Sequence, residues 1–189
     1  NWNYAVEQVK RVLGSDKEVK KKAQEYGLIY KNRRGVMVVD VVASRQRKYL
    51  EYVVPKLLPQ YEAKAADLSL LSLANKAPKW MPLRTGEAKV MQSVAKVLLD
   101  FGTRGGIKDE NEICFAWAED SSAHSDILDI KGIGPALLQY LRMRSGADSV
   151  KIDVRVMEEL NNLRLPIEWF TSDGLLQICT ELAKEANCS

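Results

Sequence analysis

Gly132-Ile133-Gly134-Pro135 and, one helix later, Val150-Lys151-Ile152-Asp153-Val154-Arg155-Val156 are the two stretches of this sequence that decide its fold. Glycines on both sides of one apolar residue predict a tight turn, and proline suits the first turn of a helix, where its missing N–H is not needed. Uncovered backbone amides at a helix start form a concavity that suits a phosphate oxygen. The sequence therefore predicts a helical hairpin over about residues 126–145, with a short helix from Asp126 to Ile130 as its first arm.

Apolar residues spaced three and four positions apart predict further helices on both sides of the hairpin. Residues 87–101 show this spacing most clearly, and Gly102 would stop that helix. Residues 173–186 repeat the pattern, with a capping residue among positions 171–173. Helical periodicity thus dominates the chain, and the sequence shows no internal repeat.

The N-terminal 35 residues combine a predicted helix with an excess of positive charge. Ser15-Asp16-Lys17-Glu18 is a capping-box pattern, and its helix would run to about Tyr26 and end at Gly27. Between Lys10 and Arg34, nine Lys and Arg residues stand against three Asp and Glu residues. These charges would attract a phosphate backbone if they shared a face, but a solvated helix face explains them equally well.

The run from Val36 to Val42 is rich in β-branched residues, which alone would favour a strand. A strand needs a partner, and no second convincing strand is found in the sequence. We therefore predict a buried helix that continues toward Ser44 and Tyr52, with Pro55 ending or kinking it. The predicted fold class is all-α.

Composition and cysteine spacing exclude several classes of protein. With 46% apolar and 28% charged residues, the 189-residue chain is typical of a soluble globular protein. No apolar run approaches the roughly 20 residues that a membrane helix needs, and no signal-peptide pattern is present. The cysteines at 114, 179 and 188 fit no zinc or iron–sulfur ligand pattern, and free thiols in a reducing compartment are the simpler interpretation. We expect no metal site.

Taken together, the hairpin and the segment after it resemble the helix-hairpin-helix DNA glycosylases of the endonuclease III (HhH-GPD) superfamily. The motifs that carry the resemblance are Leu128, Ile130, Gly132-Ile133-Gly134-Pro135, Gly146, Val150–Val156, Ala43-Ser44-Arg45-Gln46 and Arg84–Leu99 with Glu87-Ala88-Lys89. The resemblance covers about residues 36–160 and is most specific over 126–156. It implies one two-lobed helical unit over residues 1–189. Residues 36–144 would form a central lobe, and residues 1–35 with 146–189 a second lobe.

The resemblance also implies roles for individual residues. Asp153 would be the catalytic carboxylate, and Gln46 would fill the gap left by an extruded base. The backbone amides of Gly132, Ile133 and Gly134 would take a DNA phosphate. Apart from the resemblance, the basic residue Lys131 beside them is expected to bind DNA, and Arg142, Arg144 and Arg155 are plausible partners of a phosphate or of Asp153 that the sequence does not rank.

Two departures from the family pattern bear on the expected reaction. Bifunctional members carry a nucleophilic lysine where this chain has Ala136, which argues against a Schiff-base lyase step. The cysteine set for an iron–sulfur cluster is also missing, so we expect no cofactor, although the hairpin leaves room for a monovalent cation.

Asp153 has two compatible interpretations. It stands where a helix N-cap belongs, and its side chain would accept backbone amides there. Helix amides and the positive end of the helix dipole also favour its charged form. A permanent negative charge suits stabilising an oxocarbenium-like sugar and orienting a water, and this favours monofunctional hydrolysis.

Aromatic residues and the single histidine are weaker candidates. Trp80 and Trp117 would stack on a base if they lined a pocket, but core packing explains them more simply. Tyr140 lies on the second hairpin helix and faces either the core or the pocket. His124, the only histidine, is expected to be solvated before the Asp126 helix, and it excludes any two-histidine metal site.

Three functions follow from these interpretations. The first is a monofunctional base-excision repair glycosylase, a hydrolase that acts on a flipped damaged or mispaired base. The second is a non-catalytic DNA-binding protein derived from that scaffold, and the third is a helical partner-binding domain. An acid is of no use to pure phosphate binding, which favours the first. We expect double-stranded DNA as partner, a monomer, and a cytoplasmic or nuclear protein that neither enters a membrane nor is secreted.

Overall fold

A computed structural model describes residues 2–13, 25–165 and 171–186. Every regular element in these ranges is helical, which confirms the all-α prediction. The elements are α1 (Trp2–Leu13), α2 (Arg34–Ala43), a π-helix (Tyr49–Leu57), α3 (Leu58–Lys64), α4 (Leu70–Asn75), α5 (Glu87–Gly105), α6 (Glu110–Glu119), a 3₁₀ turn (Ser121–Ala123), α7 (His124–Leu128), α8 (Pro135–Ser145), α9 (Val154–Asn162) and α10 (Ser172–Glu185).

Helix α2 lies at the centre of the fold. Every one of its residues is buried, and it packs against α3, α4, α5, α6, α8 and the π-helix. A helix that is apolar on all sides must be surrounded by other elements, which explains the β-branched run at 36–42. The prediction of a buried helix is confirmed there.

The predicted continuation of α2 is wrong. The helix ends at Ala43, and the chain turns over residues 44–48, where Gln46 has a φ of 53°. A π-helix then begins at Tyr49 and contains Pro55 in its interior. Pro55, which has no amide donor, lies inside this π-helix and does not end it. The helical break falls at residues 44–48, before the proline.

The predicted end of α5 is also wrong. The helix passes through Gly102 and stops at Gly106, whose φ of 68° provides the left-handed cap. Gly102 is buried, and a Cβ there would lie 2.4 Å from Cδ1 of Ile113 on α6. The glycine therefore permits close packing of two helices rather than terminating one.

The helix termini predicted elsewhere agree better with the structure. Helix α10 begins at Ser172, and Oγ1 of Thr171 accepts the amide of Gly174 at 3.3 Å. Gly27 begins a turn directly after helical residues 25–26, as predicted. The capping box at 15–18 lies outside the described residues.

Two hydrophobic clusters form within the described residues. The larger one draws on residues 30–147. The smaller one joins α1 to α10 through Ala5, Val6, Ile152, Leu160, Leu165, Leu175 and Leu182. Tyr30 and Ala147 belong to the larger cluster, although the predicted lobe boundaries assign both positions to the second lobe.

Replacing Gly35 by alanine is expected to destabilise the fold, because a Cβ there would lie 2.4 Å from the carbonyl oxygen of Ser69. Its amide also donates to the carbonyl of Leu68 at 2.8 Å, so the backbone is fixed. Such overpacking costs about 1–3 kcal/mol. Urea denaturation measures the loss. Gly105→Ala is the matched control, since its Cβ would contact only Ile107 at 3.6 Å, and a Gly35→Ala protein as stable as wild type contradicts the prediction.

Candidate functional site

The predicted hairpin is present, with α7 and α8 as its arms. Gly132 has a φ of 106°, a backbone conformation that favours glycine, and Gly134 is extended at the N-cap of α8. Pro135 occupies the first turn of α8, and Gly146 ends it with a φ of 106°. The first arm begins at His124, two residues before the predicted start.

The backbone amides of the turn are not all free. Ile133 donates its N–H to the carbonyl of Ile130 at 2.9 Å, and its side chain is buried in the larger cluster. The predicted phosphate contact from Ile133 is therefore wrong, because its amide closes the turn. The amides of Gly132 and Gly134 have no acceptor in the part of the chain that the structure describes. Lys131 beside them is exposed.

A cavity of about 500 Å³, which we call the hairpin groove, lies directly beside this turn. Its charged and hydroxyl-bearing lining residues are Arg45, Thr85, Glu87, Lys89, Ser93 and Lys131. The one acid, Glu87, is buried and accepts Arg47 Nη1 and Nη2 at 2.9 and 2.6 Å. Its charge is therefore neutralised, and the groove presents positive charge to the solvent.

Asp153 is half-buried at the N-cap of α9 and lines a second cavity of about 860 Å³. Its Oδ1 accepts the amides of Arg155 at 3.1 Å and Val156 at 3.3 Å, which confirms the predicted cap. Oδ2 makes no hydrogen bond to any described residue. One carboxylate oxygen thus holds the helix, while the other is open to the space that we call the Asp153 cavity.

Positive side chains predominate on the wall of the Asp153 cavity. The basic lining residues are Arg47, Lys48, Lys151 and Arg155. Glu51 is the one acid besides Asp153 on that wall, and it accepts Lys48 Nζ at 3.0 Å. Arg155, predicted to bind DNA, is exposed at this wall. Arg47 is committed to Glu87 and Lys48 to Glu51, so Lys151 and Arg155 are the cations that remain on the cavity wall beside the Asp153 carboxylate.

A buried polar network forms the floor of the Asp153 cavity. Tyr140 donates its hydroxyl to Oδ2 of the fully buried Asp40 at 3.0 Å, and Arg144 Nε lies 3.2 Å from the same oxygen. Arg144 also donates from Nη2 to the hydroxyls of Tyr140 at 2.9 Å and Tyr49 at 3.0 Å. Burial, followed by the charge of Asp40, raises the pKa of both tyrosines, so both hydroxyls stay protonated at neutral pH.

Lys151 extends over this floor. Its Nζ lies 4.6 Å from the centre of the Tyr140 ring and 3.5 Å from Oγ of Ser44. Desolvation lowers the pKa of Lys151, although the nearby carboxylates of Asp153 and Asp40 oppose that shift. The side chain therefore places a poorly solvated ammonium group inside the Asp153 cavity.

The two tryptophans do not line the Asp153 cavity, so the weaker interpretation as pocket residues is wrong for that cavity, and the simpler interpretation of core packing is confirmed for Trp117. Trp117 is fully buried in the larger cluster. The centre of the His124 ring lies 5.2 Å from that of Trp117. His124 is half-buried, so the prediction that it is solvated is wrong. Trp80 stacks on Tyr61 at 6.2 Å and lines a separate cavity of about 410 Å³. Of the three predicted pocket aromatics, Tyr140 alone reaches the Asp153 cavity.

The turn at 44–47 joins the two cavities. Arg45 lines the hairpin groove and donates from Nη1 to the carbonyl of Gly132 at 3.0 Å. Gln46 is exposed, lines the Asp153 cavity, and is held by Arg84, which donates to its carbonyl at 2.7 Å and to its Oε1 at 3.1 Å. The groove and the cavity are therefore neighbouring parts of one surface.

The sequence analysis missed Asp40 and Tyr49, and it named Arg144 as a partner of a phosphate or of Asp153 rather than of Asp40. Asp40 carries a detectable signal, because it is a lone acid inside the apolar run 36–42 and a buried charge requires a partner. Tyr49 and Arg144 carry no such signal, since each meets Asp40 only through the fold.

The chain matches no protein-family model, and comparisons with curated proteins and with solved structures find no similar chain. No helix in the described ranges is both long and apolar enough to cross a membrane. Within the same ranges, no three His, Cys, Asp or Glu side chains are grouped to hold a metal ion. Cys114 and Cys179 are free thiols, and burial raises the pKa of Cys114 to about 12.

Proposed function

We propose that this protein is a monofunctional DNA glycosylase that hydrolyses the N-glycosidic bond of a flipped damaged or mispaired base. The observation that carries the proposal is the open Oδ2 of Asp153 in a basic cavity, next to a hairpin groove with free glycine amides. Pure phosphate binding has no use for that carboxylate. The partner is double-stranded DNA, bound by a monomer in the cytoplasm or nucleus.

In this proposal the hairpin groove holds the phosphate backbone. The amides of Gly132 and Gly134 bind a phosphate oxygen at the start of α8, and Lys131 with Lys89 adds positive charge. The extruded nucleotide then crosses the turn at 44–47 and enters the Asp153 cavity, while Gln46 fills the gap in the duplex. Extrusion costs a few kcal/mol, least for a mismatched or damaged base.

The chemical step follows from the charge of Asp153. As the bond from C1′ to the base nitrogen breaks, positive charge develops on the sugar, and the carboxylate stabilises it. A water oriented by Oδ2 adds its hydroxyl to C1′, and its proton neutralises the departing base. The product is an abasic site in an uncut strand.

The absence of an amine at position 136 supports hydrolysis over a lyase step. Ala136 stands where a nucleophilic lysine would attack C1′ in bifunctional relatives of the family that the sequence resembles. Without that bond, the strand stays intact until alkali cleaves it.

A panel of duplex oligonucleotides tests the proposal. The duplexes carry uracil, 8-oxoguanine, alkylated purines or mismatches, and strand breakage is scored before and after alkali. We expect base release from at least one duplex, with breakage only after alkali. Breakage without alkali contradicts the monofunctional mechanism. Salt-dependent duplex binding without any base release favours the non-catalytic DNA-binding alternative.

Lys131→Gln is expected to weaken duplex affinity severalfold for all sequences and to reduce the slope of log affinity against log salt by about 1. Lys131 is exposed beside the hairpin, so its loss removes one phosphate contact without disturbing the core. Fluorescence anisotropy across a salt series measures both quantities. Lys108→Gln is the matched control, because Lys108 is also exposed but does not line the groove. Identical slopes for the two variants rule out a phosphate contact from Lys131.

A further inference from the structure

Cations lie against two of the tyrosine rings that line the Asp153 cavity. Three tyrosines line it, at positions 26, 49 and 140. Arg144 Cζ lies 3.8 Å from the centre of the Tyr26 ring, and Lys151 Nζ lies 4.6 Å from that of Tyr140. The third ring, Tyr49, has its hydroxyl tied to Arg144 at 3.0 Å. A cationic ligand binds best to open electron-rich faces. Here Lys151, which lines the cavity, covers a face of Tyr140, and the buried Arg144 covers a face of Tyr26 from outside the cavity lining.

Lys151 also brings unused hydrogen-bond donors into the cavity. An ammonium group has three donors and no acceptor. Lys151 Nζ donates a long hydrogen bond to Oγ of Ser44 at 3.5 Å. Among the described residues, no carboxylate lies within ion-pair distance of Nζ. Donors that are partly desolvated by their surroundings bind carbonyl oxygens well and repel a second positive charge.

The carboxylate of Asp153 does not offset the preference of Lys151 for neutral bases that carry carbonyl oxygens. Its Oδ1 is committed to the amides of Arg155 and Val156, and its open oxygen faces the sugar in the proposed reaction. Lys48 Nζ forms an ion pair with Glu51 Oε2 at 3.0 Å, so the charge of Glu51 is also compensated. Two cations without an ion-pair partner among the described residues therefore line the cavity: Lys151 over its floor, against the Tyr140 ring, and the exposed Arg155 at its wall.

We propose that Lys151 determines specificity, selecting neutral extruded bases with carbonyl oxygens and excluding cationic N-alkylated purines. This inference rests on the proposed function and narrows its substrate class. Deaminated and oxidised bases, such as uracil and 8-oxoguanine, carry carbonyl acceptors and no charge. A base such as 7-methylguanine carries a formal positive charge in the nucleotide.

The test compares one duplex sequence with uracil, 8-oxoguanine or 7-methylguanine at the same position. Base release is measured under single turnover after subtraction of spontaneous loss. Affinity is measured separately by anisotropy with the Asp153→Asn protein, so that this readout needs no chemistry. In both readouts we expect uracil or 8-oxoguanine to be preferred to 7-methylguanine by about 10-fold or more.

Substitutions at position 151 decide whether this lysine sets the preference. Lys151→Gln should reduce the preference by about 10-fold, and Lys151→Arg, which keeps the charge, should retain most of it. Lys108→Gln changes an exposed lysine that does not line the Asp153 cavity, and it should match wild type. Thermal denaturation of Lys151→Gln confirms that it is folded.

The outcomes separate this inference from the proposed function. Base release with no preference, with a preference for 7-methylguanine, or with one that Lys151→Gln leaves unchanged overturns the inference and leaves the glycosylase proposal standing. A preference in binding without any base release overturns the glycosylase proposal and supports the role of Lys151. If no duplex shows base release and binding shows no preference among the bases, both the glycosylase proposal and the role of Lys151 are overturned.

Discussion

Asp153→Asn is expected to lower the rate of base release by about 100-fold or more, because it deletes the charge that stabilises the sugar cation in the proposed mechanism. Asparagine caps helices as well as aspartate does, so its side-chain oxygen still accepts the amides of Arg155 and Val156. The fold and the duplex affinity should therefore change little. Single-turnover assays on the best substrate of the duplex panel measure the rate.

Two further variants separate charge from capping at this position. Asp148→Asn removes an exposed carboxylate that does not line the Asp153 cavity, and it should release base at the wild-type rate. Asp153→Ala should lose base release and also about 1 kcal/mol of stability, because it removes the cap as well. Base release by Asp153→Asn at the wild-type rate would show that the residue is a cap only.

Asp40→Ala is expected to lower the free energy of unfolding by about 3–5 kcal/mol. Asp40 is fully buried, its Oδ2 accepts the hydroxyl of Tyr140 at 3.0 Å, and the same oxygen forms an ion pair with Arg144 Nε at 3.2 Å. Alanine would leave the guanidinium of Arg144 buried without its counter-charge, and one hydroxyl without its acceptor. Urea denaturation followed by circular dichroism measures the loss.

Asp100→Ala is the matched control for that experiment. Asp100 is exposed on α5 and forms no ion pair among the described residues, so its loss should change stability by less than about 0.5 kcal/mol. An Asp40→Ala protein that unfolds at the wild-type urea concentration would show that the buried network contributes nothing to stability. Because this network forms the floor of the Asp153 cavity, we also expect the variant to lose base release.

Local features of the sequence predicted most of the elements. The periodicity at 87–101 and 173–186 marks real helices, and the turn chemistry of Gly132-Ile133-Gly134-Pro135 marks a real hairpin. The run 36–42 required a non-local argument, since its β-branched residues favour a strand. The absence of a partner strand decided it correctly.

Features set by tertiary packing escaped prediction. Gly102 has the same sequence signature as a helix stop, but close packing against Ile113 is what it permits. Asp40 and Arg144 lie far apart in sequence and meet only because α2 packs on α8.

The candidate site also combines a part that local sequence predicts with a part that only tertiary packing sets. The cap formed by Asp153 is local, and the sequence predicts it. The wall that faces it comes from the turn at 44–47 and from Tyr49, about a hundred residues earlier in the chain. A lone Gly-x-Gly-Pro turn also does not reveal that the Ile133 amide closes on Ile130.

A structure of the protein bound to duplex DNA with an abasic-site analogue tests the central claim most directly. We predict the analogue's sugar outside the duplex with C1′ roughly 3.5 Å from the Asp153 carboxylate, and a neighbouring phosphate on the amides of Gly132 and Gly134. A sugar that stays stacked in the duplex, or DNA bound away from the hairpin groove, would contradict the account.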